Sequence, residues 1–313
     1  MTDPRVLYVM PVFNAAHWVK DSVTSVLQQD YAPFDLLCVD DGSTDATPRI
    51  LKEMAEQDSR VQVLTQANAG PGAAFNRGLA HAMAHRYPYV ARMDADDHSL
   101  PGRTRLQIEL MEHYPDTAAC SGQAVYFTGQ RDPCGTSQLP ERPEQVRQDI
   151  LRGGRGLIQG ATLFRVSALA AVGGYRAEKT PAEDTDVFLR LSERYPLRNV
   201  PDIVYRIRIC PDSHSLSSIQ MTRFYHHYYL HLATLRAVNK PECSFQTFSE
   251  SLGRGQRAAI HRESLAITAY FRWMTKRSVS SLISAALLDP SRTIQRIAKK
   301  LRIRRVSSAG VVL

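Results

Sequence analysis

The sequence is poor in cysteine and has no long apolar run. Its five cysteines, at positions 38, 120, 134, 210 and 243, are odd in number and include no Cys-x-x-Cys pair. This scatter argues against a disulfide framework or a zinc site and fits a reducing compartment. No stretch reaches the roughly 18 apolar residues that a membrane-spanning helix needs. Pro11 interrupts the N-terminal MTDPRVLYVMPVF, which therefore predicts a strand and not a signal peptide.

Acidic residues are scarce in the last third of the chain. From Leu216 onward there are 16 Lys and Arg against 4 Asp and Glu, whereas residues 1–215 hold 23 basic and 27 acidic groups. The segment SRTIQRIAKKLRIRR places Ile294, Ile297 and Leu301 at helical spacing among basic residues. This pattern is typical of a helix on an anionic membrane surface, and the alternative is a helix packed on the protein with a solvated basic side. The segment has no interleaved aromatic residues, so we do not expect a nucleic-acid partner.

Apolar content of 43% and charged content of 22% indicate a folded globular chain. The first hundred residues alternate between short apolar runs and helical periodicity, a β-α-β-α-β-α-β rhythm that predicts a mostly parallel, Rossmann-like central sheet with flanking helices. Residues 129–145 are rich in glycine, proline and polar groups and predict a loop. Strand patterns stop near Leu216, so we expect a catalytic domain over 1–215 and a helical, basic region over 216–313.

Polar side chains follow each of the first four predicted strands. Asn14 follows the first strand, Asp40 and Asp41 the second, Asn68 the third and Asp94 the fourth. Ligands of such sheets lie beyond the carboxyl ends of the strands, so these residues predict one site. Asp94 and Asp96 form a D-x-D turn that suits Mg²⁺ or Mn²⁺ shared with substrate phosphates. The alternative is a solvated acidic turn.

A second acidic group opens a later predicted helix with the sequence EDTD. Glu183, Asp184 and Asp186 could complement the helix dipole, or one of them could act as a general base. The residues alone leave both interpretations open.

Five segments appear in the order and spacing of one known family. They are VMPVFNAAHWVKDSVTSVLQQDY…LLCVDDGSTDAT, NAGPGAAFNRGL, RMDADD, GATLFRVSALAAVGGY and AEDTDVFLRL. The sequence resembles glycosyltransferase family 2 over roughly residues 5–210. The resemblance implies the GT-A fold and an inverting, nucleotide-sugar-dependent glycosyltransferase.

The resemblance also implies roles for individual residues. It places Asp184 as the catalytic base and Asp96, with Asp94, as ligands of a divalent cation, Mn²⁺ or Mg²⁺. It implies a nucleotide-binding set drawn from strand ends and loops: Pro11, Phe13, Asn14, Asp40, Asn68, Gly70, Asn76 and Asp94.

Two departures from the family pattern bear on these roles. Many relatives carry Arg where this chain has Phe75, so that cation must come from elsewhere, with Arg77 and Arg92 as candidates, or not be needed. Relatives often carry a His where this chain has Arg208, and His214 follows six residues later. Either side chain could contact the diphosphate.

The sequence therefore predicts transfer of a sugar, from a UDP-sugar first of all, to a glycan or lipid-linked acceptor in cell-envelope or extracellular polysaccharide synthesis. The alternatives are a nucleotidyltransferase and a catalytically silent nucleotide-sugar-binding protein. We expect a cytoplasmic protein, peripheral on the inner face of the plasma membrane.

Overall fold

The computed structural model describes residues 3–128, 133–209, 218–276 and 279–289. Its strands, in chain order, are β1 Val6–Val12, β2 Phe34–Asp40, β3 Val61–Thr65, β4 Tyr89–Arg92, β5 His98–Ser99, β6 Ala119–Phe127, β7 Pro133–Thr136, β8 Leu163–Arg165 and β9 Leu197–Arg208. Its helices are α1 Val19–Leu27, α2 Thr47–Gln57, α3 Pro71–Ala84, α4 Arg103–His113, α5 Pro143–Leu151, α6 Val166–Ala171, α7 Glu183–Ser192, α8 Ile219–Ala237, α9 Phe245–Ser251, α10 Arg254–Lys276 and α11 Val279–Leu288.

The sheet has the strand order β3-β2-β1-β4-β8-β6-β9-β5, with β7 paired to β6. β1, β2, β3 and β4 pair in parallel, as the alternating pattern predicts. The strands beyond β4 add antiparallel pairs, including β4 with β8 and β6 with β8. The sheet is thus parallel in its first half and antiparallel in its second, and the parallel half brings four strand ends to one edge.

The central strands are apolar throughout because helices cover the sheet. Every residue of β2 is buried, and six of the seven residues of β1 are buried. α1 adds Val19, Val23 and Val26 to the core cluster on one face. On the other, Gly78 of α3 lets the helix approach β1 so closely that a Cβ atom would overlap both γ-methyls of Val9.

The loop predicted over residues 129–145 is partly wrong. Residues 133–136 form β7, and α5 begins at Pro143. β7 lacks hydrophobic alternation and exists through its antiparallel pairing with β6. Proline at its first position is compatible with a strand, because that position need not donate to the ladder. Pro143 similarly opens α5 at a helical position where no backbone donor is required.

The chain divides into two compact units. One comprises Met1–Ala124 and Leu139–Ile207, and the other comprises Val125–Gln138 and Arg208–Leu313. The predicted domain boundary at residues 215 and 216 lies outside the described residues and stays a prediction. Among the described helices, none combines the length and apolarity needed to cross a bilayer.

The Gly78 contact yields a stability prediction. Gly78→Ala should lower the free energy of unfolding by about 1–3 kcal/mol, because overpacking of the stiff Val9 side chain outweighs the helix propensity of alanine. Gly255→Ala is the matched control, since Gly255 also lies in a helix but its Cβ position meets nothing within 4 Å. It should be neutral or stabilise by up to about 1 kcal/mol. Urea unfolding checks both, and equal midpoints for the two variants would contradict the close approach.

Candidate active site

The loops after β1 and β2 are joined by side-chain hydrogen bonds. Asn14 has a left-handed backbone (φ 48°), and its side-chain oxygen accepts from the Thr44 backbone N–H at 2.8 Å. The Asn14 backbone N–H donates to the Ser43 hydroxyl at 2.9 Å. Asp45 accepts from the backbone N–H groups of Ala16 and Thr47. Asn14, predicted in the nucleotide site, is thus fixed beside the strand-end acids of β2.

The paired acids at the end of β2 hold the neighbouring backbone. The Asp40 carboxylate is buried and accepts from the Ser43 N–H at 3.0 Å. The Asp41 carboxylate accepts from Gln66 Nε2 at 2.7 Å and from the backbone N–H of Ala69 and Gly70 at 2.9 and 2.8 Å. Asp41 therefore fixes the loop that leads into α3. This structural role accounts for the second of the paired acids at the end of β2.

The loop before α3 is covered by the segment that precedes α7. Lys179 donates to the Asn68 side-chain oxygen at 2.6 Å, and its alkyl stem lies over Gly70. A Cβ atom at Gly70 would meet Lys179 Cγ at 2.8 Å, and the φ of 93° at Gly70 also favours glycine. Asn68 and Gly70, both predicted nucleotide-binding residues, thus lie against the segment that ends in the catalytic candidate Asp184.

Asn76 connects the same two regions by its amide. Its nitrogen donates to the Tyr175 carbonyl at 2.8 Å, and its oxygen accepts from the Tyr175 backbone N–H at 2.9 Å. Both amide groups are used in fixing the turn Gly173–Gly174, where both glycines have positive φ. The geometry of this predicted nucleotide-binding residue supports a positioning role.

The D-x-D turn follows β4 and is held from behind. The Asp94 backbone N–H donates to the Tyr205 hydroxyl at 3.2 Å, and Asp94 Oδ1 accepts from Arg92 Nε at 3.1 Å. Asp94 Oδ2 lies where a Cβ atom at Gly160 would clash at 2.6 Å. The Asp94 side chain remains about one third exposed. Asp96 is also partly exposed, whereas Asp97 is buried.

Arg92 lies between the D-x-D turn and the start of α7. Its guanidinium is 3.1 Å from Asp94 and 3.6 Å from Glu183, and its side chain is only 4% exposed. Phe75 does occupy the position before Asn76, and the Arg92 guanidinium carbon lies 5.5 Å from its ring centroid. Arg77 is exposed and donates to the Thr65 carbonyl. Of these two candidate cations, Arg92 is therefore the one in contact with the acids.

The two acids that begin α7 have perturbed proton affinities. Burial raises the pKa of Asp184 above its ordinary value of 3.8, against the lowering effects of the Thr185 N–H, Arg155 and Arg92, while Asp94 raises it further. Burial likewise raises the pKa of Glu183, with Arg92 acting in the opposite direction. Carboxylates with raised pKa values in a polar cleft are suited to accept a proton.

Asp186, the third acid of this helix, has a structural role. Its carboxylate is buried and pairs with Arg190 at 2.6 Å and with Arg176 at 2.9 Å. Arg190 also donates to the Gly174 carbonyl, so the pair anchors the turn that Asn76 holds from the other side. This geometry is consistent with the interpretation that Asp186 is not the catalytic base.

The partly exposed acids of the D-x-D turn fit a hard divalent cation. Among the described residues, no group of three or more His, Cys, Asp or Glu side chains is arranged around a metal position. Mg²⁺ and Mn²⁺ are commonly held by one or two carboxylates together with substrate phosphates, and the partly exposed Asp94 and Asp96 meet that requirement.

The structure describes two of the three remaining predicted residues. Phe13 is 44% exposed after β1, next to Pro11 and Asn14, and its ring is available to stack on a ligand. The Arg208 guanidinium lies 4.5 Å from the centroid of the Phe127 ring. His214 lies outside the described residues.

Sequence reasoning missed Lys179 and Glu183 as members of this cluster. Lys179 lies in a segment without a motif, and Glu183 resembled a helix-dipole residue. The structure shows why Gly72 matters to Glu183, since a Cβ atom there would meet Glu183 Oε2 at 2.9 Å, but the sequence does not reveal this contact.

Comparison with known proteins is consistent with this geometry. The chain matches the description "Glycosyl transferase family 2" over residues 8–173. It is 32% identical to EpsE of Bacillus subtilis strain 168 over 212 residues, covering 66% of this chain and 73% of EpsE. It is 25% identical to the chondroitin synthase of Pasteurella multocida over 71% of this chain but only 22% of that protein.

Solved structures agree in fold at low sequence identity. S. aureus TarS 1-349 in complex with UDP-GlcNAc aligns with a TM-score of 0.59 at 16% identity, covering 91% of this chain and 79% of that one. Mannosyltransferase PcManGT from Pyrobaculum calidifontis, in complex with GDP-Man and Mn²⁺, aligns with a TM-score of 0.57 at 17% identity, covering 97% and 81%. These neighbours share the GT-A architecture that the sequence predicted. The chain belongs to glycosyltransferase family 2.

Proposed function

We propose that this glycosyltransferase moves a sugar from a nucleoside-diphosphate donor, in the first place a UDP-sugar, to a glycan or lipid-linked acceptor with inversion. The proposed pathway class is synthesis of a cell-envelope or extracellular polysaccharide. The observation that carries the proposal is the single cluster formed by Asp94, Arg92, Glu183 and Asp184 at the sheet edge. The likeness to EpsE, to a chondroitin synthase and to a structure with UDP-GlcNAc supports it.

The proposed reaction consists of one proton transfer and one displacement at the anomeric carbon. Asp184 takes the proton of the acceptor hydroxyl, whose oxygen forms a bond to the anomeric carbon. The bond from that carbon to the diphosphate oxygen breaks on the opposite face, so the configuration inverts and nucleoside diphosphate leaves. Nucleoside contacts are proposed for Pro11, Phe13, Asn14 and Asp40. A Mn²⁺ or Mg²⁺ ion on Asp94 and Asp96 would neutralise charge on the leaving diphosphate.

The base assignment predicts the behaviour of Asp184→Asn. Transfer should fall by about 10²–10⁴-fold because the variant cannot accept the acceptor proton, while nucleoside-diphosphate affinity should change little. Asp202→Asn, on an exposed part of β9, is the matched control and should keep wild-type turnover. Release of nucleoside diphosphate is the measurement. Near-normal turnover in Asp184→Asn would remove the assignment.

The same substitution should not lower stability at pH 7. The pKa of Asp184 is higher in the folded chain than the unfolded value of 3.8, so the folded state binds this proton more tightly. The contribution of Asp184 to stability therefore falls as pH rises from 3.8 through the folded-state pKa, and the ionised carboxylate opposes folding at pH 7. The Tm of Asp184→Asn should accordingly equal or exceed that of the wild type. A lower Tm would show that the carboxylate is stabilising.

Donor and metal are tested together by thermal stabilisation. UDP at 100 times its Kd should stabilise the wild type by about 2.7 kcal/mol, and Mn²⁺ should increase the apparent UDP affinity. Asp96→Asn should lose the increase that depends on Mn²⁺ but keep the part that UDP gives alone. GDP serves as the comparison, because one structural neighbour binds GDP-Man.

Release of pyrophosphate in place of UDP would instead indicate a nucleotidyltransferase, and binding without turnover would indicate a silent protein.

We also propose residues 1–215 as the catalytic domain and residues 216–313 as a region that brings it to an anionic membrane. The described part of that region supports this: Ile283 and Leu287, one helical turn apart on α11, are 55% and 79% exposed. The basic sequence begins four residues after α11 ends and contains no acid after Asp289. Such a surface would hold the enzyme at the inner face of the plasma membrane, near lipid-linked acceptors.

Vesicle sedimentation tests the membrane proposal. Deletion of residues 291–313 should release the protein from vesicles that contain anionic lipid, and Ile283→Ser with Leu287→Ser should weaken binding. Thr234→Ala, an exposed change on α8, is the control, and purely zwitterionic vesicles should bind poorly. Unchanged sedimentation of the deletion variant would show that the tail packs on the protein instead.

A further inference from the structure

The backbone of Arg92 is fixed by hydrogen bonds, and its charged side chain is shielded from water. It ends β4, where its N–H donates to the Thr162 carbonyl at 2.8 Å and its carbonyl accepts from Arg103 Nη2 at 2.7 Å. The residue is 3% exposed. A guanidinium this deeply buried costs free energy unless it is paired, so its partners define what it does.

The Arg92 guanidinium is enclosed by two aromatic rings and two acids. The ring centroids of Phe75 and Tyr175 lie 5.5 and 5.4 Å from its central carbon. Asp94 Oδ1 and Glu183 Oε1 lie at 3.1 and 3.6 Å on its polar edges. The rings confine the guanidinium plane. Nε donates to Asp94, whereas the buried Nη1 makes no hydrogen bond to a described residue and meets Glu183 only as an ion pair at 3.6 Å.

These two carboxylates come from different halves of the proposed reaction centre. Asp94 belongs to the turn proposed to bind the cation and the donor. Glu183 immediately precedes the proposed base Asp184 and also accepts from Gln159 at 3.2 Å. Arg92 is thus a direct bridge between the donor side and the acceptor side.

The backbone at the start of α7 indicates that this bridge fixes geometry. Ala182, next to Glu183, is in the left-handed region at φ 57° and ψ 32°. That conformation is unfavourable for alanine and persists only where its surroundings impose it. On one side Glu183 is held by Arg92 and Gln159, and on the other it lies against Gly72 of α3.

The geometry points to Arg92 as a positioning residue that sets the distance and orientation between the cation-binding turn and the base-bearing start of α7. This inference rests on the proposed function, because it assigns Asp94 and Asp184 to opposite sides of one reaction. Arg92 contacts neither reacting atom and acts through Asp94 and Glu183. A misplacement of about 1 Å between reacting groups can cost on the order of 100-fold in rate.

The first test compares Arg92→Gln with Arg105→Gln. Arg105 also contacts two carboxylates, Asp30 and Glu109, but it is exposed on α4, so its loss is a matched control. Arg92→Gln should lower kcat about 100-fold with a much smaller change in the donor KM, whereas Arg105→Gln should match the wild type. A kcat for folded Arg92→Gln within threefold of the control would overturn the proposal.

A second pair of variants separates positioning from folding. Arg92→Leu removes the charge. The double variant Arg92→Leu with Phe75→Arg supplies a guanidinium from position 75, whose ring faces Arg92 in the wild type. The single variant should be inactive, and the double variant should regain at least tenfold in kcat. If Arg92→Gln does not fold, this comparison decides the question, with circular dichroism confirming the folded state. A folded double variant that regains no activity would overturn the assignment. If the double variant does not fold, a fully active Arg92→Lys would overturn it instead.

The wild type and Asp184→Asn are assayed alongside these variants. A wild type that releases no nucleoside diphosphate with any donor would refute the proposed function itself. An active wild type with an inactive Asp184→Asn and a fully active Arg92→Gln would refute only the role of Arg92.

Discussion

A positive charge buried among carboxylates from separate segments is the constraint on which the site depends. Burial raises the pKa values of Glu183 and Asp184, and the nearby Asp94 carboxylate raises both further. The Arg92 guanidinium acts in the opposite direction and lowers the pKa of both Glu183 and Asp184. A divalent cation bound at Asp94 and Asp96 would offset the charge of these two partly exposed acids. The cation would in turn complement the negative charge of a bound diphosphate.

The fold supplies this cluster by tying loops to one another more than by shaping any single loop. Asn14 joins the loops after β1 and β2, and Asp41 joins those after β2 and β3. Asn76 fixes the turn at Tyr175 to α3, and Asp186 holds the same turn through Arg190. Polar residues that the sequence suggests as ligand contacts, such as Asn14 and Asn76, therefore hold the loops at this edge of the sheet. Most residues proposed to meet the donor, such as Phe13, Asp94 and Asp96, are left partly exposed by this framework, whereas Asp40 is buried.

The sequence predicts the parallel half of the sheet well because its signals are local. Apolar runs such as FDLLCVD and helices with one apolar face need no distant partner to be identified. β7 and α5 escaped prediction because proline and polar composition indicate a loop. Pairing with β6 forms β7, and burial of Val146 and Ile150 supports α5. Arg92 could be suspected from a missing arginine at position 75, but its choice over Arg77 required the packing of Phe75 and Tyr175. Lys179 carried no signal at all, since its contact with Asn68 spans 111 residues.

The hydrogen bonds of Glu183 and Asp184 support different proposed roles for the two acids. Glu183 Oε1 accepts from Gln159 and faces Arg92, so its lone pairs are directed into the protein. Within the described residues, the hydrogen bond of Asp184 is a single one, from the Thr185 N–H to Oδ1. Its second oxygen keeps the lone pairs that a base must direct at an acceptor hydroxyl. Because both pKa values are raised by burial, proton affinity does not distinguish the two acids. Their partners do: Glu183 is held in place by Gln159 and Arg92, and this supports the proposal that Asp184, beside it next to the strained Ala182, is the base.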